Sequence, residues 1–445
     1  MSDRKVRQGE TKIGLGEVKI TPPLGVKMAG FSARKGVSQG VHDDLYARAL
    51  VVEDQGTAVA ILSASVLYIA REVIDGTRKE IAQRTGLPEA HIIIAATHTH
   101  SGPTNTEEYN AYLKEKCVEC LLAAWESRTE SRLGIGTCHV EGVGRNRRRL
   151  DYGGLPVDPE VGIIRVESQA GKISGVLLNY ACHPTTMGPR NLLISEDWVY
   201  YTTQAIKEEI GDDTVVMFVN GAEGDINPGY GSGLSAVGAY IPIRTWEYTE
   251  KIGRILGRAV LDALPEIETE SSFPIQSVSE EISLPLRRSF PMTLEQAEEE
   301  LKKRKETFGK LKEQKNRVSQ VLLDRTEAEA YYANQTRNSA KWFYSEARKS
   351  AIEVELQSIL LGDTALTTFP GEVFVEIGLE VKRRSPFPRT FVIGVAGPAT
   401  GYLPTGKAFS EGDYEVCGAK YSAEAAQVLI EATLEQLRKL TPGSG

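Results

Sequence analysis

Six short apolar runs, separated by turn residues or helix-like stretches, limit what this chain can fold into. Residues 47–53 and 56–63 read as two strands joined by a turn at Asp54-Gln55-Gly56. The run His91-Ile-Ile-Ile-Ala-Ala is short and continuously apolar, as in a strand buried on both faces. Residues 161–166, 175–180 and 215–219 read as further strands. Residues 69–86, 107–128, 198–210 and 244–265 read as helices, the first stopped by Gly86-Leu-Pro. Residues 352–359 and 364–369 alternate around Leu361-Gly-Asp and predict a β-hairpin. This order predicts an α/β fold, a large mixed β-sheet flanked by helices.

One stretch breaks the pattern. Residues 292–350 are rich in Lys, Glu, Arg and Gln, and open with the capping-box pattern Thr293-Leu-Glu-Gln. Leu294, Ala297, Leu301, Phe308, Leu311 and Val318 recur at helical steps. A second helix is predicted from about Thr326 to Arg348, carrying Tyr331, Tyr332, Trp342 and Phe343. The segment reads as a helical hairpin inserted between strands: a solvated packing unit, a lid or a dimer contact.

Composition excludes some partners. The formal net charge of −8 over 445 residues argues against a protein built for nucleic acid or an anionic membrane. The five cysteines are odd in number and irregularly spaced. Cys117 and Cys120 form a C-x-x-C, but inside an amphipathic helix and without a second pair, so they read as helical thiols rather than a zinc knuckle. Free thiols fit a reducing compartment. The first residues hold no apolar signal core, and no run of about 18 apolar residues occurs. The expectation is a soluble, cytoplasmic protein without stable membrane anchoring; a homo-oligomer is left open.

Chemistry concentrates where strands end. Ala96-Thr-His98-Thr-His100-Ser-Gly-Pro follows the buried strand directly, and if that strand continues, His98 and His100 point to one side. Two histidines in that setting suit metal binding or acid/base work. A second strand runs into Asn179-Tyr-Ala-Cys-His183-Pro-Thr-Thr-Met, and a third into the Gly-rich loop 220–229 with Glu223 and Asp225. Taken singly, His183 is equally a structural histidine, and the loop equally a capped turn. Phe369-Pro-Gly-Glu372 turns a strand towards a helix, where Glu372 alone would simply favour the helix start. Tyr402 and Tyr414, read alone, are packing residues. Two histidines and a carboxylate together match a common catalytic zinc set with an open position for water. There is no H-E-x-x-H helix and no G-x-S-x-G elbow.

The motifs in order resemble the neutral/alkaline non-lysosomal ceramidase family, in its N-terminal catalytic domain. They are Gly14-Leu-Gly-Glu-Val-Lys-Ile-Thr-Pro-Pro, Met28-Ala-Gly-Phe, residues 40–49 (GVHDDLYARA), ATHTHSGP at 96–103, NYACHPTTM at 179–187, GDINP at 224–228, FPGE at 369–372 and the Tyr402/Tyr414 region. The resemblance implies one hydrolase unit over residues 13–435, with residues 292–350 inserted in it. It implies that His98, His183, Glu372 and Tyr402 match the ligands of a Zn2+ ion. His100 matches the histidine beside the reacting carbonyl, Tyr414 the second active-site tyrosine, and Arg147 the arginine facing the site. There are two departures. The family's active-site serine is Asn227 here, so the chain resembles a bacterial-type member set apart from the ceramidases proper. Asparagine cannot act as a nucleophile. The ceramidases' additional immunoglobulin-like domain has no counterpart.

The resulting expectation is a zinc-dependent hydrolase of an amide bond in a small N-acyl substrate, using a metal-activated water. His100 relays a proton to the leaving amine. Tyr414 and Arg147 stabilise the oxyanion, and Asn227 helps hold substrate. An ester or small-peptide metallohydrolase, and a metal-containing binding protein that has lost catalysis, are the alternatives.

Overall fold

The computed structural model describes residues 11–148, 154–345, 349–398 and 400–441. Eight strands form the larger sheet: β1 (Lys12–Lys19), β2 (Tyr46–Asp54), β3 (Thr57–Ala64), β4 (Ile92–Ala96), β5 (Thr129–His139), β6 (Glu160–Ser168), β7 (Ile173–Tyr180) and β8 (Val215–Asn220). Their order across the sheet is β8-β7-β6-β5-β1-β2-β3-β4. The outer pairs β8/β7 and β3/β4 are parallel and the pairs between them antiparallel, so the sheet is mixed. A second sheet of four strands lies in the order β9 (Ile275–Pro285), β10 (Ala351–Leu361), β11 (Thr364–Thr368) and β12 (Arg389–Ile393). The predicted hairpin is β10/β11, turning at Gly362 with a φ of +62°, a value glycine takes readily.

The two sheets pack face to face. Leu50, Val52, Ile61, Ile93, Leu177 and Met217 meet Ile359, Leu361, Leu366 and Phe391 in one buried cluster. Alternate residues on the same strands point away, as the pleat requires. In β2, β3 and β4 these are Val51, Leu62 and Ile94, which pack with helices α1 (Arg71–Thr85) and α2 (Glu107–Glu126). In β7 and β8 they are Leu178 and Phe218, which pack with α3 (Trp198–Ile210) and α4 (Trp246–Ala263). The sequence predicts one large mixed sheet with helices over it. The structure has that sheet and stacks a second on its inner face, giving four layers: helices, eight strands, four strands, helices.

The inserted hairpin runs between β9 and β10 as α5 (Leu294–Glu313) and α6 (Gln320–Phe343). Its capping box forms as predicted between Thr293 and Gln296. Helix α6 starts at Gln320 rather than Thr326, because the Ser319 hydroxyl accepts from the Leu322 amide and caps it. It ends at Phe343, and the predicted end at Arg348 lies outside the described residues. The outer face of the smaller sheet is covered by α7 (Val375–Arg384) and α8 (Ala425–Lys439) through Ile377, Val381, Leu429 and Leu434. Cys117 and Cys120 are free and buried in α2. Among the described residues no helix is long and apolar enough to cross a membrane.

Candidate metal centre

Strand ends from both sheets converge on one point. The loops after β4, β7 and β8 bring His98, His183 and Glu223; the loop after β11 brings Glu372. The loop after β12 brings Tyr402, in a two-residue parallel pairing that sets it opposite Glu372.

Strand β4 does not continue through His98. It stops at Ala96, and His98 adopts a φ of +71°. The left-handed residue, rather than strand alternation, turns both imidazoles to the site, with ring centroids 5.0 Å apart. The His98 amide donates to the Val66 carbonyl at 3.0 Å, and its Nδ1 lies 2.8 Å from the Leu67 carbonyl. His183 is held similarly: its Nδ1 is 2.9 Å from the carbonyls of Glu223 and Ile226. Its own carbonyl accepts from the Trp198 indole.

These contacts fix the tautomers. A carbonyl only accepts, so each Nδ1 carries the proton and each Nε2 presents a lone pair. Both lone pairs aim at one carboxylate oxygen: Glu372 Oε2 is 3.1 Å from His183 Nε2 and 3.4 Å from His98 Nε2. Burial, reinforced by the Arg147 charge, pushes the His183 imidazole down to about 3, keeping it neutral. The other Glu372 oxygen accepts from the Tyr68 hydroxyl. A second carboxylate, Glu223, is fully buried with neither oxygen hydrogen-bonded. Burial and then Glu372 push it well above the usual range. Ligand atoms of His98, His183, Glu223 and Glu372 lie within 4.8 Å of one another. Three acceptor groups and an unpaired buried carboxylate around one point repel each other unless a cation sits among them. The donor set is nitrogen and oxygen, which suits zinc.

Beside this cluster sits a cavity of about 30 Å³, lined among others by Phe31, His100, Arg147, Tyr331, Tyr402 and Tyr414. Neither ring nitrogen of His100 has a partner, and burial followed by its two neighbouring imidazoles keeps it neutral. Gly30, at a φ of +97°, passes directly over it; a Cβ there would stand 2.5 Å from the ring. Arg147 donates from Nε to Glu415 at 2.7 Å, and from Nη2 to the Gly224 carbonyl at 2.8 Å and the Tyr402 hydroxyl at 3.0 Å.

Seven of the eight predicted residues thus gather at one place. Asn227 does not join them. Its Oδ1 accepts from the Gly229 and Tyr230 amides and its Nδ2 donates to the Tyr230 carbonyl, so the side chain holds its own turn and lines no part of the cavity. Arg147 lines the cavity while its guanidinium is also bonded to Glu415, the Gly224 carbonyl and the Tyr402 hydroxyl. Glu223 and Tyr68 were missing from the predicted set. Glu223 carried the same signal as the histidines, a polar residue just past a buried strand. Tyr68 carried none beyond lying shortly after β3.

A profile described as neutral/alkaline non-lysosomal ceramidase, N-terminal, matches residues 11–237, just over half the chain. The chain belongs to this family. Among relatives of the ceramidase family, neutral ceramidase of Drosophila melanogaster is 26% identical over 256 residues, covering 49% of this chain and 36% of the relative. Neutral ceramidase of Pseudomonas aeruginosa is 25% identical over 246 residues, covering 49% and 37%. The matched stretch therefore spans about a third of these relatives' length. The crystal structure of the Pseudomonas aeruginosa neutral ceramidase superposes with a TM-score of 0.76 at 18% identity, covering 97% of this chain and 75% of that one. That likeness establishes a shared ceramidase-family fold.

Proposed function

We propose that this protein hydrolyses an acyl amide bond at a zinc ion held by His98, His183, Glu372 and Tyr402, with Glu223 offering a further oxygen. The observation that carries the reading is the meeting of two imidazole Nε2 atoms on one oxygen of Glu372. The amide as the scissile bond is supported by membership of a family whose relatives are neutral ceramidases, since ceramide is an N-acyl amide. Zinc, when bound, supplies Lewis-acid polarisation and lowers the pKa of a water to about 7.

The chain's own residues do the rest. Tyr68 fixes one Glu372 oxygen so that the other stays turned to the histidines. His100 is neutral and unpartnered, so it can take the proton lost by the attacking water and deliver it to the leaving amine. Water adds to the carbonyl carbon, the C–N bond breaks, and acid and amine leave. Arg147 lines the cavity, where it can donate to the developing oxyanion, and also donates to the hydroxyl of Tyr402. Tyr414 lies next to Tyr402, ring centroids 5.8 Å apart, as a second donor.

Elemental analysis of the purified protein tests the centre, and amine release from a panel of N-acyl amides tests the chemistry. The expected result is about one zinc per chain, lost with activity in His98→Ala. Full activity from metal-free protein would sink the proposal.

A further inference from the structure

We infer that Tyr331, from the inserted hairpin, is a specificity-determining residue that restricts this site to compact acyl groups of about acetyl size. The inference rests on the amide-hydrolysis reading above. Of the residues lining the catalytic cavity, Tyr331 is the one that belongs to the hairpin; the others come from loops and short helices of the two-sheet fold. Its ring stacks on Tyr414 at 6.2 Å and 17°, walling the cavity beside the predicted oxyanion donor.

The remaining space, about 30 Å³, suffices for about one water. An alkyl chain needs more room than this, and the Tyr331 ring is one of the walls that takes it up. The ring is held where it is. Gln335, one turn on, donates to the Tyr331 hydroxyl at 2.6 Å. Ser339 donates to the Cys417 carbonyl at 2.7 Å, tying α6 to the short helix Tyr414–Gly418 that carries Tyr414. Tyr332, the next residue, packs so closely on Gly233 that a Cβ there would stand 1.7 Å from its hydroxyl oxygen. Room for a long chain exists in the molecule, in a cavity of about 820 Å³ lined by Phe290, Met292, Phe409 and Val416. It shares no lining residue with the catalytic cavity.

The test is a series of N-acyl derivatives of one amine, acetyl to palmitoyl, with zinc-loaded protein. The expected kcat/KM falls by at least about tenfold from acetyl to octanoyl. Tyr331→Ala removes that fall, and Tyr331→Phe, which keeps the ring, preserves it. In parallel, thermal shifts with acetate, butyrate and octanoate read the same pocket without turnover: stabilisation declines with length in wild type and not in Tyr331→Ala. A wild type that accepts octanoyl as readily as acetyl overturns the inference. So does an unaltered length preference in Tyr331→Ala. If Tyr331→Ala melts well below wild type, Tyr331→Leu takes its place. If no amide is cleaved, the proposed chemistry fails, and the carboxylate series alone decides whether Tyr331 limits length.

Discussion

At His98 a side chain with a Cβ occupies backbone space that usually favours glycine or asparagine, at a cost of about 1 kcal/mol. The fold tolerates it because amide and Nδ1 are both bonded to the segment after β3. Strand alternation predicts the right facing of His98 and His100 for the wrong reason, since the strand has already ended. His98, His183 and Glu372 were legible because each follows an apolar run and stands in a motif with a family resemblance. Tyr68 was not, because its role depends on a contact with Glu372 across 304 residues. Replacing Tyr68 with Phe leaves Glu372 free to rotate, and should weaken zinc affinity by about 10–100-fold at unchanged secondary structure; competition with a chromophoric chelator measures it. Glu372→Gln removes the charge itself and should lower affinity further, by at least about 100-fold in the same assay. Glu223 makes the pH dependence. Its folded pKa is raised without a cation, so between the unfolded and folded values the native chain binds more protons than the unfolded one. Stability contributed this way is present at low pH and lost as pH rises through the folded value. The melting temperature of chelated wild type should therefore fall, relative to chelated Glu223→Gln, as pH rises above the ordinary carboxylate range; parallel curves would remove Glu223 from the account.

Among the elements, eight strands and most helices were legible because apolar periodicity reports them directly, whereas strands β1, β5, β9 and β12 and helix α8 were not read from it. The sheet partners were not legible either. Apolar residues along β2 or β10 tell that the strand is buried, but not which strands share a ladder or that two sheets meet. The tight loop approaches were equally hidden. Gly30 looks in sequence like an ordinary turn residue, yet its missing Cβ is what lets the 28–31 loop lie on His100. Gly30→Ala combines a clash with a φ of +97°, and should destabilise by about 1–3 kcal/mol while displacing His100. Chemical denaturation reads the first effect. Amine release with zinc content unaltered reads the second, because Gly30 lies against His100 and outside the ligand set.

On the scale of the whole molecule, the candidate ligands are divided between the two sheets. His98, His183 and Glu223 hang from the larger, Glu372 and Tyr402 from the smaller. What otherwise joins the layers is apolar packing along Leu366, Phe391 and their partners, with a few hydrogen bonds such as Asn179 Nδ2 to the Val392 carbonyl at 2.8 Å and Gln357 Nε2 to the Ile92 carbonyl at 3.3 Å. An ion at the convergence would act as a rivet through that seam. Its removal should lower the stability of the whole fold, by about 2.7 kcal/mol when free zinc had stood at about 100 times its Kd. The loss should not be spread evenly. Amide hydrogen exchange should quicken at the ends of β4, β8 and β11 nearest the site, while α1 and α8 keep their protection. Exchange that quickened uniformly would mean that the sheets are fastened elsewhere.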